Sequence, residues 1–520
     1  MNQSNLSQPF LWEALLRWIQ EKLKTYRVPL LSSIIVGFLS YMFFFTNKLL
    51  NHDEAYSLFT KGSTASLGRW FLMLADSIFP NFSMPWIYGV ITICLIAIAT
   101  CLIVHMFQIR SKLIQGLLAA IITAFPSLLS LMAYMFTSSA YSLAFLLAVL
   151  AAWLVTRWNK WCYLFAIGCM VISLATYQGY VALTASLLVL MVVFLLLNNE
   201  PLPAVLRKGV ASLAFLILSL GIYYLSTLVV NGYLGIELGE YASDRMQFSL
   251  ADIPANALLA YERFFDCLLH SRNGLVPTPF SRFLHLTMLA CCGVLLVLWC
   301  LCQKEKEWGR YLLLVIMLLL IPLAVCCMFL FTVPDSIHTL VLYSFTAVYV
   351  LIAILADHPL TLENWNRIKA ALLSLCVHLI PLCLVLIIVV NIYVSNAASL
   401  NMHLRYEMSY SFYTALIADL RMMPEFDENS KLAVIGFFNA PEYYETRLIP
   451  LHSIVGTYGF VPSDYSKEQF LRDYLNFQIS FVSDEEAAAI QQTSEFQEMP
   501  LYPYYGSMKW FGDTLVVRIA

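Results

Sequence analysis

Asn51-His-Asp-Glu-Ala-Tyr-Ser-Leu-Phe59, followed by Ser66-Leu-Gly-Arg-Trp70, separates two long apolar runs, residues 29–49 and 86–108. About 20 apolar residues in a helix cross a hydrocarbon core, so a polar, aromatic stretch between two such runs is a loop at a membrane edge. Working outward, further runs fall at 113–135, 138–156, 161–176, 180–197, 210–230, 284–302, 311–331, 338–356 and 370–394. The pattern predicts a polytopic α-helical membrane protein with about eleven transmembrane helices. Residues 113–156 and 161–199 carry no charge at all. Their breaks are placed at Phe136-Thr-Ser-Ser-Ala140 and Thr176-Tyr-Gln-Gly-Tyr180, and each piece is short enough to form a re-entrant pair.

Composition agrees with this reading. Hydrophobic residues make up 60% of the 520 and charged ones 12%, against roughly 25% charged in soluble domains. A net charge of −3 excludes a basic nucleic-acid binder. Most of the 13 cysteines lie in apolar runs and none follows residue 395. They read as small buried hydrophobes rather than disulfides or zinc ligands. No cleavable leader is predicted. Residues 1–28 instead carry an amphipathic segment, with Leu, Trp and Ile opposite Arg17, Lys22 and Lys24, suited to lying in the interface.

Lys and Arg mark the cytoplasmic side of a membrane protein. With the N-terminus inside, the inner connections hold 15 Lys and Arg and the outer ones 7. This places outside the loop 50–85, the loop 231–283 and the stretch 395–520. The latter has ordinary charge and no membrane run. Lys431–Phe437 and Thr514–Ile519 read as strands; Ser409–Arg421, Lys467–Leu475 and Asp484–Gln492 read as helices. A small extracytoplasmic α/β domain is expected, joined by a helix that begins near Asn401.

Asp53 and Glu54 directly follow the first span. A carboxylate there is suited to take a proton from a hydroxyl attacking an anomeric carbon. Adjacent residues point in different directions, so the two carboxylates cannot share one job. Asn51-x-x-Glu54 also matches a capping box, which makes Glu54 the structural member and Asp53 the candidate base. Arg69 suits a phosphate and Trp70 a sugar face; the alternative is a snorkelling Arg beside an interfacial Trp. Tyr177 and Gln178, in Tyr177-Gln178-Gly179-Tyr180, suit sugar hydroxyls, although interfacial Tyr needs no function. His338 begins a late span on the outer side, where it would stabilise a phosphate or simply be structural. Arg405, in Asn401-Met-His-Leu-Arg-Tyr-Glu407, is placed to reach a phosphate at the membrane surface, or lies on a solvated helix face. No P-loop, HExxH, GxSxG or GxGxxG pattern occurs.

The order of these elements carries a resemblance: Asp53-Glu54 after the first span, Gly68-Arg69-Trp70, Tyr177-Gln178-Gly179-Tyr180, Arg405-Tyr406-Glu407 after the last span, and a closing Val516-Val517-Arg518 strand. It resembles the polytopic glucosyltransferases that modify O-antigen in serotype conversion, the glucosyl transferase II type. The resemblance implies a type C (GT-C) glycosyltransferase fold over 29–394 and a polyprenyl-phosphate-linked sugar, glucose in the characterised branch, as donor. It further implies inverting transfer to a glycan or lipid-linked glycan on the outer face of a bacterial inner membrane. The catalytic base it implies falls on Asp53 with Glu54 adjacent. His338 departs from the arginine expected near the outer start of a late span. Some related type C enzymes use a divalent metal; no cluster of ligands here requires one. The competing reading, a transporter or flippase of lipid-linked saccharide, predicts internal repeats and charges at mid-membrane, and neither stands out. A polymerase or ligase would concentrate basic residues in a large late outer loop, whereas 395–520 reads as a folded domain.

Overall fold

The computed structural model describes residues 11–56, 64–77, 84–236, 250–270, 275–276, 278–303, 307–330, 338–360, 367–427, 429–436, 454–457 and 465–519. Helix α1 (Leu11–Thr25) leaves Trp12, Leu16, Trp18 and Leu23 exposed, and α2 (Arg27–Thr46) enters the bundle. Next come the short α3 (His52–Tyr56), α4 (Trp70–Ser77), α5 (Pro85–Met106), α6 (Lys112–Thr123), α7 (Pro126–Ala133) and α8 (Met135–Val155). Then follow α9 (Lys160–Thr176), α10 (Val181–Leu197), α11 (Leu202–Leu234), α12 (Ile253–Leu269), α13 (Pro279–Cys302), α14 (Trp308–Val325), α15 (Thr346–Asp357) and α16 (Arg367–Arg421).

All eleven predicted spans fall on helical segments, but they are not equivalent. Among the described residues nine helices are long and apolar enough to cross a membrane, ten if α6 and α7 form one span bent by 41°. The bend has a local cause: Pro126 lacks an N–H and its ring cannot continue the preceding helix, so α7 restarts with proline in its first turn. The remaining segment, α9, has 17 residues. Small residues allow close approach where hydrophobicity itself does not drive helices together. Buried Ala97 and Ala99 on α5 and Ala140, Ala144, Ala148 and Ala151 on α8 line helices that pack along each other, and Thr92 Oγ1 donates to Ser138 Oγ between them at 3.2 Å.

One expectation is corrected. No new helix begins near Asn401: α16 runs unbroken for 55 residues, about 80 Å at 1.5 Å per residue, and so extends far past a hydrocarbon core about 30 Å thick. The helix continues through the polar stretch after residue 394, where side chains bond back to carbonyls one turn earlier. Ser395 Oγ donates to Asn391 O at 2.9 Å, and Asn396 Nδ2 to Ile392 O at 2.8 Å and Leu39 O at 2.9 Å.

The far end of α16 carries a four-stranded sheet in the order β2-β1-β4-β3: β1 Lys431–Ile435, β2 Ser480–Phe481, β3 Met508–Phe511 and β4 Thr514–Arg518. β1 is parallel to β2 and β4, and β3–β4 is an antiparallel hairpin turned at Gly512, φ +64. Alternating residues face two layers. Leu432, Val434, Leu515 and Val517 pack with Tyr413, Leu416, Leu420 and Phe470. Ala433, Ile435 and Val516 pack with Phe496 and Met499. Leu50 and Ala55, from the loop after α2, are buried in the first layer.

Candidate active site

The Asn51 loop is held from two sides. Asn51, 3% exposed, accepts the Glu54 backbone N–H at 2.8 Å and donates to the Ala133 carbonyl at the end of α7. The first half of the predicted capping box is therefore present. The second half is not: the Glu54 carboxylate turns into the bundle, accepting the Phe136 N–H at 3.1 Å and pairing with Lys48. Glu54 is 1% exposed. Burial, with the Glu54 carboxylate adding to it, raises the pKa of the Tyr474 phenol.

Asp53 differs from its neighbour in every respect. Its side chain is 41% exposed, with His52 Nε2 at 3.7 Å, and it accepts a hydrogen bond from the Tyr465 hydroxyl. Aromatic edges surround it: the His52 ring stands edge-on to Tyr134 and Tyr465, and Tyr56 meets Tyr465. Tyr465 precedes the short helix Lys467–Gln469, whose continuation buries Phe470 and Leu471 under β1 and β4.

A second station forms around the Ser66–Trp70 turn. Arg69 donates through Nε to Gln178 Oε1 at 3.1 Å and through Nη1 to Tyr141 OH at 3.0 Å, with its guanidinium 5.2 Å from the Tyr177 ring centre. Gln178 Nε2 in turn donates to Leu67 O at 2.8 Å and Tyr223 OH at 3.0 Å, and Tyr223 OH donates to Gly68 O at 3.1 Å. Arg69, Tyr177 and Gln178, read separately in the sequence, are thus one assembly. Trp70 is half-buried against Phe71. Both stations hang on α8, from Phe136 and Tyr141, five residues or about 7.5 Å of helix rise apart.

Gly68 is required where it stands. Its φ is +74, and a Cβ there would lie 2.7 Å from Tyr223 OH and 3.3 Å from Gln178 Nε2. A side chain in the left-handed region costs about 1–2 kcal/mol, and Tyr223 would also have to yield. Gly68→Ala is expected to lower the melting temperature and reduce activity by about 10- to 100-fold through misplacement of Arg69. Activity at the parental rate would show that the turn does not position Arg69.

Arg405 is not on a solvated helix face: it is 5% exposed, with Nε on Asn401 Oδ1 at 3.3 Å. Asn401 Nδ2 donates to Thr457 O at 3.2 Å. The adjacent Gly456, φ +87, is so close to Tyr134 and Ala133 that a Cβ would meet them at 2.7 and 2.9 Å. Asn401 therefore joins Arg405 to a turn that backs the Asn51 loop. His338 is exposed and precedes the 3-10 segment Thr339–Phe345, which is tied to α7 by Ser127 Oγ donating to Thr339 O at 2.7 Å. Pro334, Asp335 and the rest of 331–337 lie outside the described residues. Among the described residues no three of His, Cys, Asp and Glu gather as metal ligands.

Sequence reading missed Lys48, Tyr141, Tyr223, Thr457 and Tyr465. Tyr223 carried a signal: with Ser219, Thr227 and Asn231 it repeats every fourth residue on a mostly apolar helix. Tyr465 carried none.

The family model of glucosyl transferase GtrII matches residues 42–356. This range takes in Asp53, Glu54, Arg69, Trp70, Tyr177, Gln178 and His338, and stops short of Arg405 and the sheet. No curated protein and no solved structure matches the chain. With over half of its length covered by that model and its many apolar helices, the chain belongs to the glucosyl transferase GtrII family and is a polytopic membrane glycosyltransferase.

Proposed function

We propose that the chain transfers a sugar, glucose by the family's name, from a polyprenyl-phosphate donor to a hydroxyl of a cell-surface glycan, with inversion and with Asp53 as general base. The observation that carries this reading is the contrast between the two carboxylates. Glu54 is buried and neutralised by Lys48, whereas Asp53 is open and already accepts a hydroxyl, that of Tyr465. An acceptor hydroxyl in the place of that phenol gives its proton to Asp53 as its oxygen bonds the anomeric carbon. The bond from that carbon to the phosphate oxygen breaks on the opposite face, releasing polyprenyl phosphate.

Arg69 is the best prepared of the cations to receive the departing phosphate, because two hydrogen bonds and the Tyr177 ring fix its plane. Buried Arg405 acts through Asn401 and the turn that Asn401 holds, and His338 is a second candidate for the phosphate. Tyr177 and Gln178 position Arg69, and Trp70 offers the sugar an aromatic face. The excess of Lys and Arg on the opposite connections supports an extracytoplasmic site, with α1 in the inner interface; that the membrane is a bacterial inner membrane follows from the family resemblance.

Purified protein incubated with radiolabelled polyprenyl-phosphate sugars and candidate glycans is expected to transfer label from one donor. Absence of turnover with every donor, together with uptake of lipid-linked saccharide into vesicles, would replace this reading with transport.

A further inference from the structure

Helix α11 is the least buried of the long apolar helices, with 22% of its span inside the protein. Yet it carries a buried polar stripe, Ser219, Tyr223, Thr227 and Asn231, one residue per turn on one face. The middle rungs are satisfied: Tyr223 by Gly68 and Gln178, and Thr227 Oγ1 by Tyr223 O at 3.0 Å. The end rungs are not: among the described residues Ser219 Oγ has no partner, and Asn231, 6% exposed, has none at either Nδ2 or Oδ1.

A buried primary amide with both ends empty is costly, and such groups are nearly always paired. Its location indicates what would pair it. Thr227, one turn below, has its Cγ2 3.8 Å from the position a Gly68 Cβ would take, so Asn231 lies one turn beyond the level of Gly68-Arg69. Helix α4, which begins at Trp70, packs on α11, and Trp70 Nε1 is another buried donor without a partner among the described residues. An amide presents a donor and an acceptor side by side, which suits sugar hydroxyls that both give and accept hydrogen bonds.

We propose that Asn231 recognises the donor sugar, its amide bonding a hexose hydroxyl while Arg69 holds the phosphate. This inference rests on the glycosyltransferase reading above and adds a specificity-determining residue to it.

The test uses the purified full chain with polyprenyl-phosphate-glucose and its 2-, 3-, 4- and 6-deoxy counterparts. A site built to bond a hydroxyl rejects the analogue lacking it. The parent protein is expected to disfavour one deoxy donor by about 10- to 100-fold in kcat/KM. Asn231→Leu is expected to lose that discrimination, using parent and deoxy donor alike, with an unchanged or higher melting temperature because an unpaired polar group has been removed. Asn231→Ser, which puts a shorter hydroxyl in place of the amide, should weaken discrimination at the same sugar position and provides the reading if the leucine variant does not fold.

Unaltered discrimination in these variants overturns the proposal, as does a fall in melting temperature with discrimination intact, which marks a structural asparagine. Both results leave the glycosyltransferase reading standing. If no donor is turned over by the parent protein and none shifts its melting temperature, both readings fall together.

Discussion

Asp53→Asn is expected to lower sugar transfer by about 10²- to 10⁴-fold, the usual contribution of a general base, with membrane insertion and stability retained. The amide is nearly isosteric, and its carbonyl still accepts the Tyr465 hydroxyl, so the surroundings of His52, Tyr56 and Tyr465 are kept. What is lost is the capacity to take a proton. Single-turnover transfer from labelled polyprenyl-phosphate sugar, beside a melting curve of the same preparation, separates the two effects. Full activity of the variant would remove Asp53 as the base.

Lys48→Met has the second large effect, and it falls on stability. The Glu54 carboxylate is 1% exposed and Lys48 is its cation. Breaking a buried pair from one side costs about 3–5 kcal/mol, because the remaining charge is stranded. The lower part of that range is expected, since Lys48 keeps 30% of its side-chain surface. Adding Glu54→Gln removes the stranded charge and should restore most of the loss, since the amide can still accept the Phe136 N–H. Denaturant unfolding of the two single variants and the double variant gives the coupling. Additive losses would show that the pair does not hold the loop, and the division of labour between Asp53 and Glu54 would lose its physical basis.

The capping box shows how far local pattern reaches. Asn51 accepts the Glu54 N–H as its spacing predicts, because that bond spans three residues and needs only helical backbone. The return bond from Glu54 fails because Lys48 and the Phe136 N–H offer its carboxylate a better partnership inside the bundle. Likewise the helix from Asn401 was legible as a helix but not as the continuation of a span. Serine and asparagine look like breakers until their side chains are seen bonding back along α16.

The membrane spans and the place of the Asn51 loop at their edge followed from the sequence by itself, because solvation of a side chain by hydrocarbon or water depends on that residue's own chemistry and a window of neighbours. Tertiary structure alone decided which spans are central: Gln178–Leu197 is 83% buried and Leu202–Leu234 only 22%, though their mean hydropathies are 2.7 and 2.2. Lipid and protein interior are alike to an apolar side chain, so hydropathy cannot separate them. It also decided that Tyr465, 412 residues away, completes the surroundings of Asp53. That contact depends on α16 running straight out of the bundle and on Leu50 and Ala55 lying in the core of the sheet, and no local pattern around either residue encodes it.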